Sequence, residues 1–232
     1  MSNDAVRIAV EGKHTVSGLL LMPASARACL VLAHGAGASM THPFMAAIAE
    51  GLAARGIVSL RYQFPYMEAG SKRPDRPALA QATVRAAVAE ASRLAPGLPL
   101  FAGGKSFGGR MTSQAQAGAP LPGVRGLVFL GFPLHPAGKP SDDRAAHLSD
   151  VQVPMLFVQG TRDTLAEPRL LAPLIERLGA RARLVAIDQA DHSFHLPKRS
   201  GRTDREVLDG VLDDVAAWMT TAAEANPFPG PS

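Results

Sequence analysis

The chain has a single cysteine, Cys29, among its 232 residues, so it can form no internal disulfide. This residue stands at the start of an apolar run and belongs to no spacing typical of zinc ligands. Free cysteine is among the most buried residue types. We therefore expect a buried core thiol and no structural metal site.

Long apolar stretches are also missing, because no run reaches the roughly 18 residues that would suggest a membrane span. The N-terminal residues, MSNDAVRIAVEGKH, lack the basic-then-apolar order of a signal peptide and carry acidic residues early. The sequence thus predicts a cytoplasmic protein with no membrane partner.

No block of like charge stands out, although the net charge is +4. The densest basic group, residues 198–202, is short and is followed at once by Asp204 and Glu206. Nucleic-acid binding requires a continuous basic stripe, so we expect no nucleic-acid partner.

Short apolar runs alternate with longer alanine-rich segments over most of the chain. This alternation predicts an α/β fold with a mainly parallel central sheet and helices on both faces. No linker or internal repeat divides the chain, and we expect one domain over residues 1–221. Residues 222–232 contain three prolines and are predicted to be a disordered tail.

The pattern also predicts the individual elements. An antiparallel pair of strands, residues 6–10 and 16–22, opens the fold. The other predicted strands span 28–33, 57–62, 98–102, 126–130, 155–159 and 183–187, and the predicted helices span 43–55, 78–94, 106–116, 168–178 and 203–220. Residues 63–77 contain several prolines and are predicted to form a long loop.

Reactive side chains are expected just after strands, because ligands bind beyond the carboxyl ends of strands in such sheets. Residues 104–108, G-K-S-F-G, follow a strand, precede a helix and match the G-x-S-x-G nucleophile elbow. Glycines on either side leave room for the neighbouring backbone at a sharp turn. The motif predicts Ser106 as a nucleophile at a helix N-terminus.

A serine nucleophile needs a base and an acid that orients the base. Asp163 follows the strand 155–159, and His192 follows the strand 183–187. The chain order serine, aspartate, histidine is that of the α/β-hydrolases. These three residues are therefore the predicted catalytic triad.

Other residues compete for the roles of acid and base. Asp188 and Asp191 share the loop of the histidine and are poorly placed to orient it, so Asp191 is expected to bond within the loop. His195 competes with His192, but the spacing from the preceding strand favours His192. The pair His192 and His195 has no accompanying cluster of carboxylate or cysteine ligands that would indicate a metal.

Two backbone N–H groups must stabilise the oxyanion that forms during acyl transfer. The first predicted donor is Phe107, directly after the nucleophile, and the second is Ala36, in the small-residue loop after the strand 28–33. His34 is expected to brace that loop by hydrogen bonds.

Four segments resemble those of the small KANL/Tex-type α/β-hydrolases, a group named partly for a testis-expressed protein and a chromatin-complex subunit and related to the dienelactone hydrolases. They are GGKSFGGRMTS, GTRDTL, DHSFHLPKRSGRT and YQFPYMEAGSKRPDRP, and the resemblance covers roughly residues 5–221. It implies the same triad and no separate cap domain. Dienelactone hydrolases use cysteine as nucleophile, whereas position 106 is serine, which argues against dienelactone cleavage.

The sequence thus predicts a serine esterase that acts on a small-molecule ester and needs no cofactor. The substrate is expected to contact Phe64, Tyr66 and Lys105, with pocket walls formed by residues 63–77 and 132–153. One alternative is a non-catalytic protein-interaction module on the same fold, and the other is a thioester, peptide or C–C hydrolase with the same triad.

Overall fold

The computed structural model describes residues 3–225 and places strands and helices in the alternating order that the sequence predicts. The strands are β1 (Asn3–Val10), β2 (His14–Leu21), β3 (Ala28–Ala33), β4 (Ile57–Tyr62), β5 (Leu100–Lys105), β6 (Val124–Leu130), β7 (Met155–Gly160) and β8 (Ala182–Ile187). The helices are α1 (Pro43–Ala54), α2 (Pro65–Glu68), α3 (Pro77–Leu94), α4 (Phe107–Gly118), α5 (Pro168–Leu178) and α6 (Asp204–Ala225). Short 3-10 segments lie at Asp143–Asp150, Gly179–Arg181 and Lys198–Ser200.

All eight strands join one sheet in the order β1-β2-β4-β3-β5-β6-β7-β8. β2 runs antiparallel to both β1 and β4, and each of the other neighbouring pairs is parallel. The predicted fold class, a mainly parallel sheet in a single α/β domain, is confirmed. The carboxyl ends of β3, β5, β6, β7 and β8 consequently meet at one edge of the sheet.

Two hydrophobic cores cover the faces of the sheet, because successive side chains of a strand point to opposite faces. In β3, Cys29 and Val31 belong to one core together with α3, α4 and α5, while Leu30 and Leu32 belong to the other with α1 and α6. Cys29 is buried, as expected, and burial raises the pKa of its thiol to about 12.

Two connections contain more structure than expected. The segment predicted as a loop at 63–77 begins with the short helix α2, whose first residue is Pro65. Proline favours the first turn of a helix, since its missing N–H would be unpaired there anyway. The connection between β6 and β7 contains the 3-10 segment Asp143–Asp150, and no cap domain is inserted between strands anywhere in residues 3–225.

The last helix, α6, is longer than predicted. It reaches Ala225, so residues 222–225 of the predicted tail are helical, and Ala222 is buried against the core. Residues 226–232, the remainder of the predicted disordered tail, lie outside the described residues. Within the described part of the chain, no helix has the length and apolar character needed to span a membrane.

Candidate active site

Ser106 stands between the end of β5 and the start of α4, with its backbone in the left-handed region at a φ of 50°. Such strain costs about 1–3 kcal/mol in a non-glycine residue and is concentrated at functional sites. A Cβ on Gly104 would lie 2.2 Å from the Ala33 oxygen, and one on Gly108 would lie 2.6 Å from the His34 oxygen. Only glycine fits at either position, and this allows the turn to press against the end of β3.

The structure brings Ser106, His192 and Asp163 together from three separate strand ends. The Ser106 Oγ lies 2.9 Å from His192 Nε2, and His192 Nδ1 lies 2.6 Å from Asp163 Oδ2. The carboxylate accepts from Nδ1–H, which leaves Nε2 as the acceptor of the serine proton. Asp163 is 1% exposed, so its carboxylate is shielded from solvent. The arrangement is chemically able to remove the serine proton and hold it on the imidazole.

Asp163 is held by two neighbours that the sequence pattern did not single out. The Leu165 N–H donates to Oδ1 at 2.8 Å, and the Gln159 side-chain amide donates to Oδ2. Gln159 is a buried residue near the end of β7. The sequence signal that could have found it is a polar glutamine at the end of an otherwise apolar strand, where a buried amide needs polar partners.

The competing residues on the histidine loop have other partners. Asp191 Oδ1 accepts from the Ser193 N–H at 2.8 Å and the His195 N–H at 3.0 Å, so it bonds within the loop as expected. The Asp188 carboxylate contacts Thr161 at 3.4 Å. The His195 ring lies with Nδ1 2.5 Å from Asp204 Oδ2.

The loop after β3 is braced by His34, which is fully buried. The Phe64 N–H donates to His34 Nε2 at 3.1 Å, so the ring proton is on Nδ1 and donates to the Gly35 oxygen at 2.8 Å. Burial lowers the pKa of His34 to about 4, which keeps the ring neutral. A Cβ on Gly35 would lie 3.8 Å from the Ser106 Cβ, so this loop packs directly against the turn that holds Ser106.

The two predicted oxyanion donors occupy suitable elements. Ala36 lines the cavity beside Ser106. Phe107 is the first residue of α4, where a backbone N–H has no acceptor one turn earlier in the helix. Both N–H groups are therefore candidates to receive an oxyanion.

A cavity of about 800 Å³ opens beside Ser106 and His192. Its walls are formed mainly by the loop after β3, the first turns of α1 and the histidine loop. Most of the wall is apolar or small, no carboxylate takes part in it, and the basic side chains are one lysine and three histidines. The lining residues are Gly35, Ala36, Ala38, His42, Pro43, Phe44, Met45, Ala47, Lys105, Ser106, Leu165, His192, Ser193 and His195.

The expected pocket walls were therefore wrong, since neither 63–77 nor 132–153 lines the cavity. Phe64 and Tyr66 do not face it either, being 0% and 4% exposed. Their rings pack with Phe107, at 5.3 Å and 6.5 Å between centroids, and the Tyr66 hydroxyl accepts from the Gly37 N–H at 3.3 Å. These aromatic rings bury their apolar surface against the loop after β3 and against the start of α4.

Lys105 does line the cavity, beside Ser106. Its Nζ donates to the backbone oxygen of His192 and lies 5.1 Å from the centroid of the Phe194 ring. Burial lowers the pKa of the ammonium to about 8, while the negative charges of Asp163 and Asp191 act in the opposite direction.

A second serine–histidine pair lies outside the cavity. Ser113 Oγ is 2.7 Å from His147 Nε2, but the same hydroxyl donates its proton to the Arg110 oxygen at 2.9 Å. A hydroxyl has one proton, so His147 must donate here and is not placed to act as a base. Ser113 is fully buried, and this pair has the features of a structural contact.

Within residues 3–225, no group of three or more histidine, cysteine or acidic side chains is arranged to hold a metal ion.

The sheet order, with Ser106, Asp163 and His192 at strand ends, is that of the α/β-hydrolase fold. The chain belongs to the α/β-hydrolase domain family, whose profile matches residues 26–220.

Solved structures with the same fold include a dienelactone hydrolase from Anabaena variabilis, at 23% sequence identity and a TM-score of 0.75 over 95% of this chain and 97% of that chain. An α/β serine hydrolase homologue from Coxiella burnetii is 17% identical, with a TM-score of 0.75 over 93% and 98% of the two chains. The esterase domain of a Rhodothermus marinus protein is 17% identical, with a TM-score of 0.70 over 94% and 98%. At these identities the likeness shows the fold.

Proposed function

We propose that this chain is a serine hydrolase that cleaves small carboxylic esters, with Ser106 as nucleophile, His192 as base and Asp163 as the acid that orients it. The observation that carries the proposal is the 2.9 Å contact between Ser106 Oγ and His192 Nε2 at the wall of a cavity of about 800 Å³. Within the family, we also propose that the chain belongs with the KANL/Tex-type hydrolases that its motifs resemble.

The reaction runs in two halves. His192 takes the proton of Ser106 as the Oγ attacks the ester carbonyl, and the N–H groups of Ala36 and Phe107 stabilise the resulting oxyanion. The protonated ring then gives its proton to the leaving alcohol, which leaves an acyl-serine. His192 next deprotonates a water that attacks the acyl carbonyl, and the protonated ring then returns the proton to Ser106 Oγ as the C–Oγ bond breaks and the carboxylic acid leaves. Loss of one oxyanion donor typically lowers turnover about 10²–10³-fold.

Carboxylic esters are favoured over other substrates by the cavity and by the similar structures. The wall is largely apolar, which suits an uncharged acyl or aryl group. Two of the similar structures are named a dienelactone hydrolase and an esterase domain. Because the proposed nucleophile is a serine, we propose an ester substrate and no dienelactone cleavage.

The test is covalent labelling with a fluorophosphonate, followed by intact-mass analysis. We expect one adduct on the wild-type protein, none on Ser106→Ala, and strongly slowed labelling of His192→Ala. Ser113→Ala is the matched control, since it removes the serine of the other serine–histidine pair, and it should be labelled like the wild type.

Hydrolysis of an uncharged ester such as 4-methylumbelliferyl acetate gives the second readout. Turnover should be lost in Ser106→Ala and retained in Ser113→Ala. A folded wild-type protein that takes no label and hydrolyses no ester would overturn the proposal and favour a non-catalytic interaction module.

A further inference from the structure

The histidine loop, residues 188–196, is held in a strained shape. Phe194 has a φ of 65° and Gln189 a φ of 59°, both in the left-handed region that non-glycine residues rarely adopt. Phe194 is nevertheless 4% exposed, and its ring stacks on Phe44 with centroids 5.9 Å apart. A loop with this strain keeps its shape only if surrounding contacts over-determine it.

Lys105 supplies two of those contacts from the opposite side of the site. Its Nζ donates to the backbone oxygen of His192 and lies over the face of the Phe194 ring, 5.1 Å from the centroid. The residue directly before the proposed nucleophile therefore holds the backbone of the proposed base, across 87 residues of sequence.

Room for the lysine side chain is provided by a glycine at the end of β6. A Cβ on Gly131 would lie 2.7 Å from Lys105 Nζ and 3.3 Å from the His192 oxygen. Gly131 also has a φ of 72°. A side chain at position 131 would therefore crowd the ammonium group, which would have to shift from its place beside the His192 oxygen.

We propose that Lys105 is a positioning residue, whose ammonium group fixes the backbone of the histidine loop so that His192 stays aligned with Ser106. This role rests on the proposed hydrolase function. It gives His192 two independent supports, because Asp163 holds the ring and Lys105 holds the main chain.

The charge of Lys105 is part of this role. The charged and titratable groups around it are Asp163, Asp191 and the His192 ring, of which the two carboxylates favour the ammonium form. With a pKa of about 8, Lys105 is an ammonium at neutral pH and becomes a neutral amine in mildly alkaline solution. A neutral amine is a weaker donor to the His192 oxygen and has no cation–π attraction to Phe194.

The test compares the pH dependence of turnover, between pH 6 and 10, for wild type, Lys105→Met and Lys105→Arg with 4-methylumbelliferyl acetate. We expect the wild-type kcat to fall above about pH 8, and the kcat of Lys105→Met to be about tenfold lower at pH 7 with no further alkaline fall. At pH 7 the kcat of Lys105→Arg should lie between those of Lys105→Met and the wild type. Its kcat should not fall in alkaline solution, because arginine stays charged there. Lys139→Met, at an exposed lysine, is the control for loss of charge.

The outcomes separate this role from a substrate contact and from failure of the hydrolase proposal. If Lys105→Met has the same pH profile as the wild type, or differs from it only in KM, the positioning role is overturned. Turnover by the wild type would still support the hydrolase proposal. A wild-type protein with neither fluorophosphonate labelling nor turnover would overturn both. If Lys105→Met fails to fold, Gly131→Ala replaces it, and the same loss of kcat is expected from crowding of the ammonium.

Discussion

Gln159 donates a hydrogen bond from its side-chain amide to Asp163 Oδ2, the same oxygen that faces His192 Nδ1 at 2.6 Å. The Phe132 N–H donates to Gln159 Oε1 at 2.8 Å. Because an N–H needs an acceptor, the amide oxygen must face Phe132 and the amide nitrogen must face Asp163. Gln159 therefore links the end of β6 to the carboxylate that orients the proposed base.

Replacing this amide by a second carboxylate tests the link. Gln159→Glu keeps an acceptor for the Phe132 N–H but places an oxygen where the amide donor met Asp163. Two buried carboxylates in contact share one proton, which weakens Asp163 as a partner for a protonated His192. We expect kcat for an ester to fall at least about tenfold with little change in KM, measured at pH 7.

The control for charge alone is Gln152→Glu, at an exposed glutamine whose side chain bonds only the Asp150 oxygen. It should keep wild-type turnover. Equal activity of the two variants would show that the contact between Gln159 and Asp163 contributes nothing to catalysis.

Gly131 and Gly138 provide a matched pair for the space around Lys105. Both have a φ of 72°, but a Cβ on Gly138 would meet nothing within 4 Å, whereas one on Gly131 would meet Lys105 Nζ. Alanine at either position should destabilise the fold through backbone strain by about 1 kcal/mol. Only Gly131→Ala should also lower ester turnover. Urea unfolding of both variants measures the loss of stability, and rate measurements on both measure the loss of turnover. Similar turnover in both variants would contradict the crowding argument.

Sequence patterns were enough to predict the position of a residue wherever that position depends on its own strand or turn. The run 28–33 is β3 to the residue, and 57–62 is β4, because continuous apolar residues between turn formers define buried strands. Ser106, Asp163 and His192 come together because each follows a parallel strand, and parallel strands in one sheet share an edge.

The cavity walls could not be predicted in the same way, because they depend on how distant segments pack. Phe64 and Tyr66 looked like substrate contacts by their chemistry and position, yet burial against Phe107 turns them away from the cavity. Phe44, the second residue of α1, lines it instead. The hydrogen bond from Lys105 to the His192 oxygen has no sequence signal, since it depends on the strained shape of the histidine loop and on the space beside Gly131.

The choice between two nearby histidines gives a further prediction. His192 contacts Ser106, while His195 is anchored on Asp204 with a 65% exposed side chain. We expect His192→Gln to slow fluorophosphonate labelling of Ser106 by about 10³-fold or more, since the serine loses its base. His195→Gln should slow it less than tenfold, a difference that timed intact-mass measurements resolve. Comparable slowing by both substitutions would mean that His195 takes part in activating the serine.

Two histidines, the buried His34 and the half-buried His147, predict how stability depends on pH. The pKa values of His34 and His147 are both lowered to about 4, chiefly by burial, from an ordinary value of 6.5. Between these values the unfolded chain binds protons that the folded protein does not, so the free energy of unfolding decreases as the pH falls from about 6.5 towards 4. For His34 the loss is at most about 1.4 kcal/mol per pH unit, and the slope from both histidines fades above about pH 7.5, where the folded and unfolded forms are both unprotonated.

Urea unfolding at pH 7 and pH 5 measures this loss. His147→Gln retains a donor for Ser113 but has no proton to gain, so its loss between the two pH values should be smaller than that of the wild type. Acid effects from carboxylates are common to both proteins and cancel in the difference. The exposed His14 offers the matched control, and His14→Gln should show the wild-type loss. If His147→Gln loses as much stability as the wild type, the neutral state of His147 is not what makes the protein sensitive to acid.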